Sequence, residues 1–157
     1  MTTSLDEIWA RASKGIAAAA VILDADRRVL LVKHSYGRLN WEVPGGAAEH
    51  DETPTQTALR EVLEETGLTV TADRLTGIYD EHRGPGREAL HFVFLCRVMD
   101  DNALPHPASD EITACSYWSP RALPRPISDF TVRRIQDAFA DPGPVLPMAI
   151  VPRQWMP

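Results

Sequence analysis

A strongly signalled helix occupies the middle of the chain and ends at a glycine. Thr53 supplies an N-cap, Pro54 stands at the first helical position, and Gln56 follows three residues after the cap, which predicts a capping box. Gly67 stands where helices commonly end in the left-handed conformation. Few other segments of this sequence specify both ends of an element, so the fold must accommodate this helix.

The predicted helix has two faces of different character. Helical spacing places four aliphatic residues together: Ala58, Leu59, Val62 and Leu63. It places three acids within an arc of about 100° elsewhere: Glu61, Glu64 and Glu65. Like charges at these spacings repel by roughly 0.2–0.5 kcal/mol per pair, so the acidic face costs stability unless a cation lies among the carboxylates. A solvated acidic surface is the simpler alternative, and the helix alone leaves both open.

The wider spacing resembles a family signature. From Gly46 to Leu68 the chain matches G-x5-E-x7-R-E-U-x-E-E-x-G-U, where U is a bulky aliphatic residue, at every specified position. This pattern is that of the Nudix hydrolases. The resemblance implies an α/β (α+β) fold, an α/β/α sandwich with a mixed sheet in which the signature helix follows a loop. Many members have glycine where Asp51 stands here, just before Glu52.

The resemblance also implies a metal site on the helix. Glu64 and Glu65 would bind metal, and Glu61 would bind metal or help to activate water. In the family, a backbone carbonyl at the position of Gly46 is a further ligand. Ligands that are all oxygens predict Mg²⁺ or Mn²⁺ as the cofactor, and not zinc.

Three further residues are catalytic candidates by the same resemblance. Glu52 and Arg60 would hold the loop against the helix, with Arg60 donating charge-assisted hydrogen bonds to a carboxylate. Glu111 lies outside the signature, in a segment that approaches the metals in related proteins. It is a candidate general base, and the alternative is a charge at the edge of a strand.

The family resemblance predicts the reaction more sharply than the substrate. The expected activity is metal-dependent hydrolysis of a nucleoside diphosphate linked to another moiety. An ADP-ribose-like or NDP-sugar-like substrate is preferred, because Pro85 stands 17 residues after Leu68, a spacing common in members that act on such molecules. A (d)NTP, unmodified or oxidised, is the runner-up. A domain that senses a nucleotide metabolite without turnover is an alternative of another class, although such domains typically have damaged signatures.

Substrate contacts are predicted in two loops. Arg83 and Arg87 lie in a Gly/Pro-rich hairpin loop, where they would either grip phosphate through bidentate hydrogen bonds or remain solvated. Tyr36 and Trp41 precede the Pro-Gly-Gly turn and are candidate platforms for stacking a base. Trp41 fits the core equally well.

Composition limits the other functional classes. With 157 residues and 44% hydrophobic content, the chain supports one domain with a single core. A net charge of -6 argues against a nucleic-acid polymer and favours a small phosphorylated partner. Cys96 and Cys115 lack zinc-site spacing, and no stretch approaches 18 apolar residues, so neither zinc nor a membrane span is expected. The N-terminus lacks a basic leader, which predicts a cytoplasmic protein.

Three regions are predicted along the chain. Residues 1–14 form an N-terminal extension with a short helix, residues 15–141 the Nudix domain, and residues 142–157 a proline-rich tail or dimer arm, which leaves a homodimer possible. Apolar runs at 15–23 and 29–32 predict a hairpin. Strands are further expected at 68–70, 75–80, 90–99 and 111–118. A last helix is capped by Ser128 or Asp129, with Arg133 and Arg134 facing outward.

Overall fold

The computed structural model describes residues 14–82 and 88–140. Within these residues the elements are β1 (Gly15–Ile22), β2 (Val29–His34), β3 (Trp41–Glu42), β4 (Gly45–Ala47), α1 (Pro54–Thr66), β5 (Val70–His82), β6 (Glu88–Val98), β7 (Ile112–Trp118) and α2 (Asp129–Phe139). Residues 1–13 of the predicted extension, the tail from 142 onward, and Arg83, Pro85 and Arg87 lie outside the described residues.

The strands form two sheets that lie between the two helices. The larger sheet has the order β4-β1-β6-β5 and the smaller one the order β3-β2-β7. The β1 and β6 strands run parallel and the other paired strands antiparallel, so the larger sheet is mixed. One core cluster packs under α1 and a second under α2, with strand residues from both sheets in each. The predicted mixed α/β/α sandwich is confirmed.

An alanine run forms the centre of β1, although alanine has the highest helix propensity. Ala18 and Ala20 belong to the core under α1, whereas Ala19 and Val21 belong to the core under α2. Small side chains allow close approach here: a Cβ on Gly45 would lie 2.5 Å from the carbonyl oxygen of Ala18. Burial on both faces of the strand therefore overrides the local propensity.

The predicted hairpin of the first two strands is wrong. The β1 and β2 strands lie in different sheets, and in the described part of the chain one bridge, Leu23 with Val29, joins their ends. Both edges of β1 are filled by β4 and β6, which come from distant parts of the chain. No edge of β1 remains for β2, so the chain crosses to the other sheet at the turn.

Other strands differ from prediction mainly in their continuity. The two short strands expected at 68–70 and 75–80 are one strand, β5, with register irregularities at Ala72/Arg74 and Leu75/Gly77. Irregularities of this kind break the alternation of inward and outward residues, which explains the predicted gap. The strands expected at 90–99 and 111–118 are confirmed as β6 and β7.

The last helix begins as predicted but presents a different face. Ser128 is the N-cap, and its side-chain oxygen accepts a hydrogen bond from the Thr131 amide at 3.1 Å. Arg133 points outward, as expected. The prediction for Arg134 is wrong, because its side chain is 3% exposed and pairs with Glu42 at 2.7 Å. The hydrogen bond to the partly buried Glu42 carboxylate holds the guanidinium inward.

Candidate active site

Helix α1 is bounded by the caps that its sequence predicts. The Thr53 hydroxyl accepts a hydrogen bond from the Gln56 amide, and the Gln56 side chain accepts one from the Thr53 amide at 2.9 Å. Gly67 adopts a φ of 72°, and its amide donates to the Leu63 carbonyl at 2.9 Å. The His106 ring packs against Gly67 so closely that a Cβ there would collide with it. Both ends of the helix that carries the glutamates are thereby held in place.

Arg60 connects the carboxylates of the signature to one another and to the preceding loop. Its Nε and Nη2 atoms donate to both oxygens of Glu52, at 2.6 and 3.0 Å. Its Nη1 atom donates to Glu61 at 2.9 Å and to Glu64 at 3.0 Å, and Nη2 also reaches the Ala47 carbonyl at 3.0 Å. The guanidinium therefore spans helix and loop.

The Glu52 carboxylate is strongly stabilised in its charged form. Hydrogen bonds from Arg60, and then from the Glu49 amide, lower the pKa of Glu52 to about 2. Thr57 adds a further hydrogen bond from its hydroxyl at 3.0 Å. Glu52 consequently stays ionised and is committed to holding the loop.

Glu65 is in the opposite situation. Its side chain is buried, and one oxygen accepts a hydrogen bond from the Gly45 amide at 3.1 Å. Burial raises the pKa of Glu65 to about 8, against the effect of the Gly45 amide and with smaller contributions from the charges of Glu61, Glu111 and Glu42. A carboxylate of this kind is stabilised by a cation nearby.

The acidic face of α1 is rotated toward the core relative to its prediction. Burial raises the pKa of Glu61, whereas Glu64 remains half-exposed. The expectation that Leu63 belongs to the packing face is wrong, since Leu63 is 51% exposed. The Gly45 amide and the small β1 side chains draw Glu65 inward, which turns Leu63 toward solvent.

Glu111 lies immediately before β7, near the helix glutamates. Its charge contributes to the raised pKa of both Glu61 and Glu65. Its carbonyl oxygen accepts a hydrogen bond from the Ser35 amide at 2.7 Å, which ties this segment to the loop after β2. The structure thus brings Glu111 toward the signature residues across a long stretch of sequence.

The donor set suits a hard divalent cation. Among residues 14–82 and 88–140, no three His, Cys, Asp or Glu side chains already share a common metal position, and Arg60 contacts Glu61 and Glu64. Glu61 and Glu65 are nevertheless carboxylates whose charge burial disfavours, and the Gly46 backbone lies directly against Glu61, where a Cβ would collide. Carboxylate and backbone oxygens with excess negative charge are the ligands that Mg²⁺ and Mn²⁺ prefer.

A cleft of about 1050 Å³ adjoins this cluster. Gly45 and Gly46 line the cleft, and the same two residues contact Glu65 and Glu61. Tyr36 lies at the cleft, half-exposed, with its ring stacked on His34 at 4.8 Å between centroids. Trp41 is buried edge-on against Trp118 and belongs to the core cluster under α2. Trp41 is absent from the cleft wall.

An ion pair at the cleft joins two residues that are not among the sequence candidates. Glu42 and Arg134 both line the cleft and pair with each other although they are 92 positions apart in sequence. Glu42 stands shortly before the Pro-Gly-Gly turn in the sequence, and this position could have identified it as a candidate site residue. Nothing local in the sequence identifies Arg134 as its partner.

No helix in the described ranges combines the length and the apolar content needed to cross a membrane.

Comparison with known proteins agrees with the geometry. The family model of the NUDIX domain matches residues 13–138. A MutT-like protein of Streptomyces ambofaciens is 33% identical over 129 residues, which are 82% of this chain and 79% of that protein. The mouse nucleoside diphosphate-linked moiety X motif 6 protein is 30% identical over 109 residues; the match covers 68% of this chain but 35% of that protein.

The fold comparison gives the same family. The crystal structure of an ADP-ribose pyrophosphatase from Streptococcus suis superposes with a TM-score of 0.65 and 28% sequence identity, over 80% of this chain and 92% of that one. The family model covers most of the chain, and it includes the loop, the capped helix and the second helix described above. The chain therefore belongs to the Nudix hydrolase family, as its signature predicts.

Proposed function

We propose that this protein is a metal-dependent pyrophosphohydrolase that cleaves a nucleoside diphosphate linked to another moiety. One observation carries the proposal: three carboxylates (Glu52, Glu61 and Glu64) contact one guanidinium, and a fourth, Glu65, is held by the Gly45 amide, beside a cleft that is large enough for a nucleotide. This excess of acidic groups is unfavourable without a cation, and a phosphorylated substrate requires one.

The signature residues and Glu111 have separate roles in the proposed reaction: metal binding, positioning of the loop and proton transfer. Glu61, Glu64 and Glu65 would hold Mg²⁺ or Mn²⁺, with a backbone oxygen of the Gly46 turn as a further ligand. When bound, the ion neutralises the diphosphate charge and polarises its phosphoryl oxygens. Arg60 and Glu52 hold the loop against the helix. Either Glu61 or Glu111 would accept the proton of the attacking water, because Glu61 lies within the cluster and the charge of Glu111 acts on both Glu61 and Glu65.

The charges of the cleft favour a diphosphate-linked moiety over a triphosphate. The acids among the described residues that line the cleft are Glu42, Glu81, Glu88 and Asp129, and the arginines are Arg38 and Arg134. Arg134 already pairs with Glu42. Among the described lining residues, a third phosphate would meet net negative charge, whereas sugar hydroxyls donate hydrogen bonds to carboxylates. The similarity to a protein described as an ADP-ribose pyrophosphatase supports the same class.

A (d)NTP remains the second candidate, because the stacked pair Tyr36 and His34 offers an exposed ring to any nucleobase. The deciding experiment measures kcat/KM for ADP-ribose, other NDP-sugars, dinucleoside polyphosphates, and unmodified and oxidised (d)NTPs under one Mg²⁺ condition. ADP-ribose or another NDP-sugar is expected to be the best substrate. A (d)NTP better by tenfold would reverse this order, and tight nucleotide binding without any turnover would indicate a sensor.

A further inference from the structure

The ion pair between Glu42 and Arg134 stands apart from the signature but adjoins its turn. Both side chains line the cleft, and they are 17% and 3% exposed. Removing two charges from water is costly, and the cost is offset only when the geometry is good and the remaining hydrogen-bonding atoms are satisfied. Here the pair is short, and both oxygens of Glu42 and the Nε and Nη2 atoms of Arg134 have hydrogen-bond partners.

Each oxygen of Glu42 has a partner. Oε1 accepts hydrogen bonds from Arg134 Nη2 at 2.7 Å and from the Val43 amide at 2.8 Å. Oε2 accepts one from the Thr131 hydroxyl at 2.8 Å. The same hydroxyl lies 2.7 Å from that of Ser128, the N-cap of α2. Glu42 therefore joins β3 to the first turn of α2.

Arg134 is oriented from two sides. Its Cζ atom lies 4.1 Å from the centroid of the Phe130 ring, and its Nε atom donates to the Phe130 carbonyl at 3.3 Å. Stacking on an aromatic face together with a planar fork of donors is a geometry that lysine does not reproduce. The guanidinium thus presents a fixed donor to Glu42.

A continuous series of contacts leads from this pair to the glutamate cluster. The Val43 amide is held by Glu42, the Pro44 carbonyl accepts a hydrogen bond from the Ala20 amide at 2.9 Å, and the Gly45 amide donates to Glu65. Each residue from 42 to 45 is therefore held by a specific hydrogen bond. The backbone has little freedom to adjust, because Gly45 packs directly on β1.

We propose that Glu42 and Arg134 are positioning residues, which set the backbone of the turn 43–46 and through it the Glu65 carboxylate. This inference rests on the proposed function, since it assigns the pair a role in metal binding. It also gives α2 a task in the active site, although α2 contributes no residue to the signature.

The test uses three variants of the full chain: Glu42→Gln, Arg134→Met and the two combined. The first readout is Mn²⁺ affinity of the substrate-free protein, followed by the electron paramagnetic resonance signal of free Mn²⁺. The second is the amide hydrogen exchange rate of Gly45 without metal. Each single variant is expected to bind Mn²⁺ about 10–100-fold more weakly, as loss of a residue that orients a ligand does. Exchange at Gly45 should become faster.

The double variant separates positioning from mere stability. A single substitution leaves one buried charge unpaired, whereas the double one removes both charges and should recover melting temperature. Positioning predicts that Mn²⁺ affinity and Gly45 protection stay low even when the melting temperature recovers. If the double variant instead regains wild-type Mn²⁺ affinity and exchange, the pair is structural and the inference is wrong.

Arg133→Met is the matched control. It removes a like charge from the adjacent position of α2, where Arg133 is exposed and pairs with Asp137 at 2.9 Å. Mn²⁺ affinity and exchange at Gly45 should both stay at wild-type values. A loss equal to that of Arg134→Met would attribute the effect to the charge of the helix and overturn the inference. Wild-type protein that binds no Mn²⁺ would overturn the proposed function as well.

Discussion

Two clusters of arginine and carboxylate lie on either side of the Pro-Gly-Gly turn, and they differ in their balance of charge. Around Arg60, one guanidinium serves three carboxylates, with Glu65 as a fourth nearby. Around Arg134, one guanidinium serves Glu42. The first cluster retains an excess of negative charge, and the second is neutral within itself.

This difference in charge balance distinguishes a cluster suited to binding a cation from an ion pair that holds two elements of the fold together. Carboxylates that outnumber their cations repel one another and destabilise the folded protein. A bound cation relieves this repulsion, so the repulsion increases the affinity of the cluster for the cation. A neutral, fully hydrogen-bonded pair gains nothing from a ligand and rigidifies what it joins. Similar residue types therefore perform different tasks according to their stoichiometry and burial.

Metal removal should have the largest effect on activity, because it acts on the Arg60 cluster and leaves the Arg134 pair unchanged. Excess EDTA is expected to abolish diphosphate hydrolysis, and Mg²⁺ or Mn²⁺ in excess of the chelator should restore it, because the proposed ligands are carboxylate oxygens, which prefer hard ions. Phosphate or mononucleotide release measures the outcome. Added Mn²⁺ should also raise the melting temperature, since a ligand of the native state stabilises it. Full activity in chelator would rule out this mechanism.

Removing one carboxylate from the Arg60 cluster should have the next largest effect. Glu64→Gln and Glu65→Gln are each expected to reduce kcat by about 10²–10³-fold, because charge stabilisation in the transition state is weakened. The melting temperature in EDTA should be unchanged or higher, since repulsion and buried charge are relieved. Asp73→Asn, at an exposed pair with Arg97, is the control. Unchanged activity in both Glu variants would refute the assignment.

The geometry of the guanidinium can be tested with charge kept constant. Arg60→Lys is expected to reduce kcat/KM by about 10–100-fold, because lysine cannot donate to both oxygens of Glu52 and also reach the helix glutamates. Arg97→Lys, at a surface pair with Asp73, should leave activity unchanged. Equal activities of the two variants would show that charge alone matters at Arg60.

The last prediction changes no catalytic rate and concerns the pH dependence of stability without metal. Glu65 has a pKa of about 8 in the folded protein, above the value of about 4.3 typical of an unfolded chain. Below the unfolded pKa both states are protonated, and between the two values the folded state alone keeps the proton. Stability in EDTA should therefore fall as pH rises from about 5 to about 8, by on the order of 2–4 kcal/mol.

Thermal or denaturant unfolding at several pH values in EDTA measures this slope. Glu65→Gln should flatten it, because the glutamine does not titrate. Identical slopes in wild type and Glu65→Gln would show that the buried carboxylate does not control the pH response.

The amino-acid sequence by itself determined the family, the bounds of α1 and the presence of most strands. These features have local causes: Thr53 and Gln56 cap each other across three residues, and Gly67 ends the helix through its own backbone conformation. The signature is also nearly continuous, so Glu52, Arg60 and the three helix glutamates are site candidates on sequence spacing alone.

The tertiary structure alone decided which faces and partners these elements take. The hairpin prediction for β1 failed because β4 and β6 filled its edges, and Leu63 was exposed because Glu65 turned inward. Arg134 is buried and pairs with Glu42, which lies 92 positions away in sequence. Contacts between residues so far apart in sequence produce no local sequence pattern. Each of the two residues alone is compatible with a solvated surface, and only the packing of the core brings their charges together.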